Sequence, residues 1–183
     1  MVTRRQAREW AVMMLCECDL NPPESLEMAL TAFWEQQADL ERDRLEANEY
    51  GVKKVFCARS AKNLASLAEM KAFADERIRG VLRDRESIDA ELEPFLEHWL
   101  LYRLGTVERN VLRLGAWELS RCPDIPAPIS INEAVDLAKF YSETQSGKFV
   151  NGVLDRYAKS LSMRPFTPGQ AKGNGDARTS GGQ

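Results

Sequence analysis

Three arginines near the amino terminus, Arg4, Arg5 and Arg8, have the type and spacing to bind phosphate groups. In a helix they lie within about one turn, so their guanidinium groups can converge on one patch. The helix macrodipole disfavours each cation there by about 0.3 to 1 kcal/mol, so another interaction has to favour them. A phosphate backbone would do so, because arginine pairs bidentately with phosphate oxygens. The alternative is a solubilising surface with Glu9 as a counterion.

A second candidate patch combines lysines with aromatic rings near the carboxyl-terminal end of the chain. Lys139, Tyr141, Lys148 and Phe149 lie within a short stretch of sequence. Aromatic rings flanked by cations bind unpaired bases, and stacking contributes about 1 to 3 kcal/mol per base. Tyr141 and Phe149 also fit the apolar period of their helices, so core packing is the alternative for both rings.

Metal binding is not expected. The four cysteines are Cys16, Cys18, Cys57 and Cys122, and His98 is the only histidine. A structural zinc site needs four soft ligands at workable spacing, which this set does not offer. The cysteines are therefore expected to be idle or buried thiols, and no cofactor is predicted.

Composition indicates a soluble globular protein. The 183 residues are 44% hydrophobic and 29% charged, and the formal net charge of −3 argues against non-specific coating of nucleic acid. A local basic site is compatible with this net charge, because nucleic-acid binding depends on where the charges lie and not on their sum. Apolar runs such as residues 10–16 are too short to span a bilayer, and no secretion signal is evident. We expect a cytoplasmic protein with no membrane association.

These residues must be positioned by helices, because apolar residues recur at helical spacing and no segment alternates as a half-buried strand would. The class predicted is all-α. A first helix is expected over residues 3–20 and a second, unusually long one from Pro23 or Glu24. Helical sequence resumes over residues 55–82, with a candidate break at Ser66.

After a turn expected at residues 84–87, another helix is predicted to carry a core face. Pro94 falls within it and should cause a kink or a late start, because proline removes a helical hydrogen bond. The predicted core positions are Ile88, Leu92, Phe95, Leu96, Trp99 and Leu100.

Three further helices complete the chain. Thr106 is expected to cap the first, and a stiff loop at residues 123–128 follows it. Ser130 and Glu133 have the spacing of a capping box, which predicts the next start. The last helix should cover residues 145–160, and Gly152 within it indicates a close helix crossing, because glycine there otherwise costs stability.

Three motifs resemble one known family. They are VERNVLRLGAWEL at residues 107–119, IPAPISINEAVDLAK at residues 125–139 and GKFVNGVLD at residues 147–155. Together with the arginine-rich start TRRQARE at residues 3–9, they are similar to the signature of the bacterial NusB family of transcription antitermination factors.

The resemblance implies a helical bundle of about seven helices in two small subdomains that share a core. It implies binding of boxA-type single-stranded RNA in nascent ribosomal RNA transcripts, jointly with the ribosomal protein NusE, within the transcription elongation complex. Lys148 and Phe149 would belong to the RNA-contacting surface, and Glu108 would face NusE. Binding and tethering need no covalent chemistry, so an enzyme is not expected.

Departures from the family pattern leave an alternative open. Cys16 replaces an aromatic residue, Gln6 replaces an arginine, and Gln145 and Gly147 replace an acidic residue and a histidine. The alternative is a protein-interaction scaffold with weak or lost RNA binding. NusB-like domains also precede ribosomal RNA methyltransferase domains, but this chain shows no glycine-rich nucleotide loop or catalytic cysteine motif.

We predict one domain over residues 1–162. The region of residues 34–70 looks expanded relative to the family, and its acidic part at residues 34–49 suggests a solvated helix face or a docking surface for a basic partner. Residues 163–183 are rich in glycine and proline and are expected to be a disordered tail.

Overall fold

A computed structural model describes residues 3–49, 61–97, 99–143 and 145–163, with side-chain surroundings defined for all of them except residues 40–49 and 61–66. Within these ranges the chain is helical and contains no strand, which confirms the all-α prediction. Its elements are α1 (Arg4–Leu20), α2 (Leu26–Glu49), α3 (Ala61–Arg83), α4 (Arg85–Leu92), 3₁₀ turns at Glu93–Phe95 and Leu101–Arg103, α5 (Thr106–Arg121), α6 (Ala127–Tyr141) and α7 (Ser146–Met163). None of the described helices has the length and apolar character needed to cross a bilayer.

Local side chains set the start of the first two helices. The Thr3 hydroxyl accepts a hydrogen bond from the Gln6 backbone N–H at 3.3 Å, which satisfies an amide that has no partner inside α1. The Ser25 hydroxyl accepts from the Met28 backbone N–H at 3.4 Å, so α2 begins at Leu26, later than predicted. The buried face of α1 includes the predicted positions Ala7, Trp10, Ala11, Met14, Leu15 and Cys18.

The acidic segment 34–49 forms the carboxyl-terminal part of α2. At its beginning the Trp34 ring meets the Trp10 ring edge to face, with centroids 5.7 Å apart, and its indole N–H donates to Asp75 at 3.4 Å. This end of the segment therefore packs on α1 and α3. The side chains of residues 40–49, on which the docking-surface alternative depends, lie outside the described part.

α3 and α4 are joined more tightly than expected. α3 runs through Ser66 without a break, and α4 begins at Arg85. Only Asp84 separates the two helices, so the prediction of a turn is wrong for residues 85–87. Asp84 accepts hydrogen bonds from Arg83 at 2.8 Å and from the Trp117 indole at 3.2 Å, and these contacts fix the change of direction.

The helix predicted to run through Pro94 ends at Leu92, and Pro94 lies in the following 3₁₀ turn. Proline lacks the N–H that would continue the α-helix. Because the helical period stops there, Trp99 is 57% exposed and Leu100 is also exposed. The prediction that these two residues belong to the core is wrong. The buried residues of the segment are Ile88, Leu92, Leu96 and Leu101.

α5 is the central helix, and it packs against α1, α3, α4, α6 and α7. A methyl group on Gly115 would lie 2.6 Å from Leu154 Cδ1 and 3.4 Å from Ala134 Cβ. Glycine at this position therefore lets α5 approach α6 and α7 closely. Helices α1–α3 and helices α4–α7 form two groups that share one hydrophobic cluster through α5.

α6 begins earlier than the sequence indicated. Pro126 is its N-cap and Pro128 lies in the first turn, where a missing N–H costs nothing. Ser130 is consequently inside the helix. Its hydroxyl and Glu133 Oε2 are buried without a hydrogen-bond partner among the described residues, so the predicted capping box is wrong.

α7 extends to Met163, three residues beyond the predicted end. A methyl group on Gly152 would meet no atom within 4 Å. The close crossing predicted at Gly152 is therefore wrong, and the crossing of α5 and α7 is made at Gly115 instead. Residues 164–183, most of the tail that the sequence predicts to be disordered, lie outside the described residues.

The described cysteines Cys16, Cys18 and Cys122 are free thiols. Burial raises the pKa of Cys122 to about 11, so this thiol stays protonated near neutral pH. Among the described residues no group of histidine, cysteine, aspartate or glutamate side chains could hold a metal ion. Cys57 and His98 lie outside the described part of the chain.

Candidate nucleic-acid interface

Arg5 connects the start of α1 to α6. Its Nη1 donates to Asp136 Oδ2 at 2.9 Å, and its Nε lies 3.6 Å from Glu9 Oε1 on the same helix. The hydrogen bond to Asp136 raises the pKa of Arg5, against a smaller opposing effect of burial. Arg5 stays partly exposed, and its link to Asp136 brings α6 next to the amino-terminal arginines.

Arg4 is exposed and forms no salt bridge with any residue that the structure describes. Its guanidinium carbon lies 5.6 Å from the centre of the half-buried Phe73 ring of α3. At this distance the ring attracts the cation weakly. Arg4 therefore keeps its hydrogen-bond donors available at the surface.

Arg8 is buried in the core, although its guanidinium carbon lies 5.2 Å from the centre of the same Phe73 ring. It is 3% exposed, and its Nε donates to both carboxylate oxygens of Glu118 in α5, at 3.0 and 3.1 Å. Arg77 of α3 donates to the same carboxylate at 2.6 Å. The prediction that Arg8 joins Arg4 and Arg5 in one patch is wrong, because a buried guanidinium needs a carboxylate partner and α5 supplies one.

The end of α6 continues the surface begun by Arg5. Lys139 is exposed one turn after Asp136, and it forms no salt bridge with a described residue. Tyr141 is 38% exposed, which makes it a surface residue rather than the core residue that its spacing suggested. Burial raises the pKa of Tyr141, with Glu9 and Arg5 close enough to contribute. The Tyr141 hydroxyl is therefore within electrostatic reach of α1.

The first turn of α7 brings the remaining candidates to the same junction. Lys148 is exposed and forms no salt bridge within the described chain. Phe149 is half-buried and packs against the hydrophobic core, so only part of its ring faces solvent. Core packing, the alternative given for both rings, is therefore partly correct for Phe149.

Sequence reasoning missed Phe140. It is 70% exposed, and its ring meets the Tyr141 ring edge to face with centroids 4.8 Å apart. A signal was available: the buried positions Ala134, Leu137 and Ala138 define the core face of α6, and Phe140 falls outside it. A large aromatic residue off the core face between Lys139 and Tyr141 marks an exposed aromatic pair.

Glu108 lies in the first turn of α5, for which Gly105 rather than Thr106 is the N-cap. Its carboxylate accepts hydrogen bonds from the Ser142 hydroxyl and, at 2.8 Å, from the Ser146 hydroxyl. Burial opposes ionisation, but the hydrogen bonds from Ser142, from the Glu108 backbone N–H and from Ser146 together outweigh it and hold the pKa of Glu108 below its ordinary value. The half-buried carboxylate therefore ties α5 to the connection between α6 and α7.

Together α1, α6 and α7 present a mixed surface, which we call the α1/α6/α7 surface. Asp136, Glu9 and Glu133 lie close to Arg5 and reduce its positive potential. The arrangement can hold phosphate groups on its cations and stack an unpaired base on its aromatic pair. The surface cations are Arg4, Arg5, Lys139 and Lys148.

Comparison with known proteins establishes the family. An all-helical fold with this surface falls within the class of small helical proteins that includes the NusB fold. The NusB family model matches residues 5–159, and the chain belongs to this family.

Named relatives agree with that assignment. The transcription antitermination protein NusB of Anaeromyxobacter dehalogenans (strain 2CP-1 / ATCC BAA-258) is 35% identical over 158 residues, covering 86% of this chain and 92% of that protein. The NusB protein of Sorangium cellulosum (strain So ce56) is 48% identical over 93 residues, covering 51% of this chain and 66% of that protein. The second match therefore spans just under two thirds of the relative's length.

A solved structure shares the fold. A crystal structure of the antitermination factors NusB and NusE in complex with double-stranded RNA matches with a TM-score of 0.63 and 28% sequence identity. The match covers 86% of this chain and 96% of that one.

Proposed function

We propose that this protein is a transcription antitermination factor that binds boxA-type single-stranded RNA in nascent ribosomal RNA transcripts together with the ribosomal protein NusE. Family membership and the related complex of NusB, NusE and RNA support the proposal. The observation that carries it is the hydrogen bond from Arg5 to Asp136, which joins α1 to α6 in one continuous surface. The protein acts in the cytoplasm, where it joins the transcription elongation complex.

The mechanism is binding and tethering, without a covalent step. Arg4, Arg5, Lys139 and Lys148 contact phosphates and set the register of the strand. Tyr141 provides a face on which an unpaired base stacks, and the exposed part of Phe149 adds an apolar contact. RNA held in this way remains attached to the elongation complex through the protein partner.

NusE contacts the protein near the start of α5. Glu108 is the candidate contact residue, and it is only half-buried. Its two serine hydrogen bonds leave other lone pairs of the carboxylate able to accept from a partner's donor. In this proposal Glu108 has both an internal and an intermolecular role.

A second candidate is a protein-interaction scaffold of the same fold with weak or lost RNA binding. One observation favours it: Arg8, a predicted phosphate contact, is buried against Glu118 inside the core. This burial reduces the number of cations free to meet phosphate.

A salt titration separates the two candidates. Binding of a labelled boxA RNA is measured by fluorescence anisotropy, with and without NusE, over a range of salt concentrations. Four phosphate contacts predict a log-log slope of about −3, at about 0.7 per contact for single strands. The scaffold candidate predicts no RNA binding above that of an unrelated acidic helical protein in either state.

Charge-removing variants locate the contacts. Arg4→Ala and Lys148→Ala should each weaken binding and make the slope less negative by about 0.7. Lys159→Ala is the matched control, because Lys159 is an exposed lysine about three turns further along α7 that pairs with Asp155 at 2.6 Å. Equal losses for Lys148→Ala and Lys159→Ala would contradict binding at the α1/α6/α7 surface. A double-stranded boxA probe tests whether the unpaired form is preferred.

A further inference from the structure

The side chain of Lys139 lies across Gly147, the second residue of α7. A methyl group placed on Gly147 would be 2.7 Å from Lys139 Cγ, 2.9 Å from Cε and 3.3 Å from Cδ. Carbon atoms do not approach so closely without moving. The whole aliphatic chain of Lys139, and not just its end, therefore occupies the space that a side chain at Gly147 would need.

The backbone gives no other reason for glycine at this position. Gly147 lies within a helix, where glycine is less favourable than alanine. The three atoms nearest to a methyl group at this position all belong to Lys139. Gly152 on the same helix has open space at its methyl position, so the contact is particular to Gly147.

Neighbouring charges leave the Lys139 ammonium group free. Asp136, one turn earlier on α6, is the nearest acidic residue on the same helix face and hydrogen-bonds to Arg5. Lys139 itself forms no salt bridge with any described residue. Gly147 thus leaves room for the aliphatic part of the Lys139 side chain beside Lys148. The ammonium group of Lys139 has no salt-bridge partner among the described residues.

We infer that Gly147 is a positioning residue, which orders Lys139 so that its ammonium group meets a phosphate of the RNA strand next to the one bound by Lys148. The inference rests on the proposed function. Lysine loses rotamer entropy when it binds, and a stem that is already held loses less. Any side chain at residue 147 would displace the Lys139 stem and remove this advantage.

The test is a double-mutant cycle of Gly147→Ala and Lys139→Ala, with Gly152→Ala as the control. Affinity for boxA RNA is measured at several salt concentrations. Gly147→Ala should weaken binding about threefold to tenfold, the size expected for one screened phosphate contact, and make the slope less negative by up to about 0.7. Lys139→Ala should give a similar loss, and the double variant should lose no more than Lys139→Ala alone.

The Tm and the order of the Lys139 side chain are measured in the same variants. Because Lys139 is exposed and can swing into solvent, Gly147→Ala should keep or raise the Tm, as Gly152→Ala should. In the free protein, the NMR signals of the Lys139 ε-methylene group should move towards those of a disordered lysine in Gly147→Ala but not in Gly152→Ala.

Three results would overturn the inference while the proposed function stands: unchanged RNA affinity in Gly147→Ala, additive losses in the double variant, or an equal loss in Gly152→Ala. Unchanged Lys139 signals in Gly147→Ala would also overturn it. If the wild-type protein binds no boxA RNA, the proposed function and the phosphate role of Lys139 fail together.

Discussion

Arg5 and Arg8 are three residues apart in α1, yet one guanidinium lies at the surface and the other in the core. Arg5 pairs with Asp136 at a partly exposed site, whereas Arg8 forms a bidentate pair with Glu118 that excludes water. The donor–acceptor distances of the two pairs are similar. Their energetic weight differs, because a surface ion pair contributes little and a buried charge that loses its partner is costly.

This difference predicts unequal effects of truncation. Glu118→Ala leaves Arg8 without a carboxylate and removes one from Arg77, so it should lower the free energy of unfolding by about 3 to 5 kcal/mol. Asp136→Ala removes the partner of Arg5 and should cost about 0 to 1 kcal/mol. Urea denaturation of both variants measures the two values. Similar losses for the two variants would show that the Glu118 site is open to water.

At the scale of elements, the connection between α6 and α7 is held from outside by α5. Ser142 follows the end of α6 and Ser146 begins α7, and both donate to Glu108. The lysines that we assign to phosphate contacts, Lys139 and Lys148, flank this connection. The Glu108 carboxylate therefore helps to set where Lys139 and Lys148 lie relative to each other.

The hydrogen bonds of Ser142 and Ser146 to Glu108 predict that the stability of the protein depends on pH. The pKa of Glu108 is lowered in the folded state from an ordinary value of 4.5. The unfolded chain therefore takes up the proton first as pH falls. The stabilisation is complete well above pH 4.5, declines as pH falls through that value, and is lost below the folded pKa.

Glu108→Gln should accordingly be less stable than the wild type at pH 7, and the difference should shrink as pH falls to about 3.5. Urea unfolding at the two pH values measures it. Glu143→Gln is the control, because Glu143 is an exposed carboxylate in the same connection. A Glu108→Gln deficit that does not change with pH would mean that the hydrogen bonds to the Glu108 carboxylate do not favour its ionised form.

At the scale of the whole molecule, α5 makes two helix groups into one folding unit. The hydrophobic cluster is continuous across α1, α3, α5, α6 and α7. An ion-pair network adds to it: Asp19 at the end of α1 pairs with Arg85 of α4 and with Arg109 and Arg113 of α5, at 2.5 to 3.2 Å. Both groups of helices bury apolar residues against α5, so they share one core.

We therefore expect a single unfolding transition. Helix content from far-ultraviolet circular dichroism and tryptophan fluorescence should give the same urea midpoint, because Trp10 and Trp117 lie in different helix groups but in the same core. Trp99→Phe removes the signal of an exposed tryptophan that would blur the comparison. Midpoints that differ between the two probes would show that the subdomains unfold separately.

The sequence predicts the helices well and their ends less well. The apolar period of α1 places its buried face correctly, and Pro94 correctly marks a disturbance. The capping box at Ser130 is wrong, since two prolines start α6 one turn earlier. The close crossing expected at Gly152 is made at Gly115, because a glycine shows where close approach is possible and does not show which helix approaches.

The candidate surface is only partly predictable, because the sequence does not show which helix faces pack together. Motif resemblance points to Lys148 and to the arginines, but it does not separate Arg5 from Arg8, and it does not single out Phe140. Exposure of Phe140 follows from which face of α6 meets α5 and α7. The exposed aromatic pair therefore becomes visible only once the helices are packed.

The sequence alone determined the helical class, the approximate number of helices and the family, because helix period and family motifs are local properties of the chain. Tertiary structure decided which charges remain free. Arg8 is buried against Glu118, 110 positions away, whereas Arg5 stays partly exposed although it pairs with Asp136, 131 positions away. Pairing at such separations depends on how helices pack, since the cost of burying a charge is offset only where a partner arrives in space.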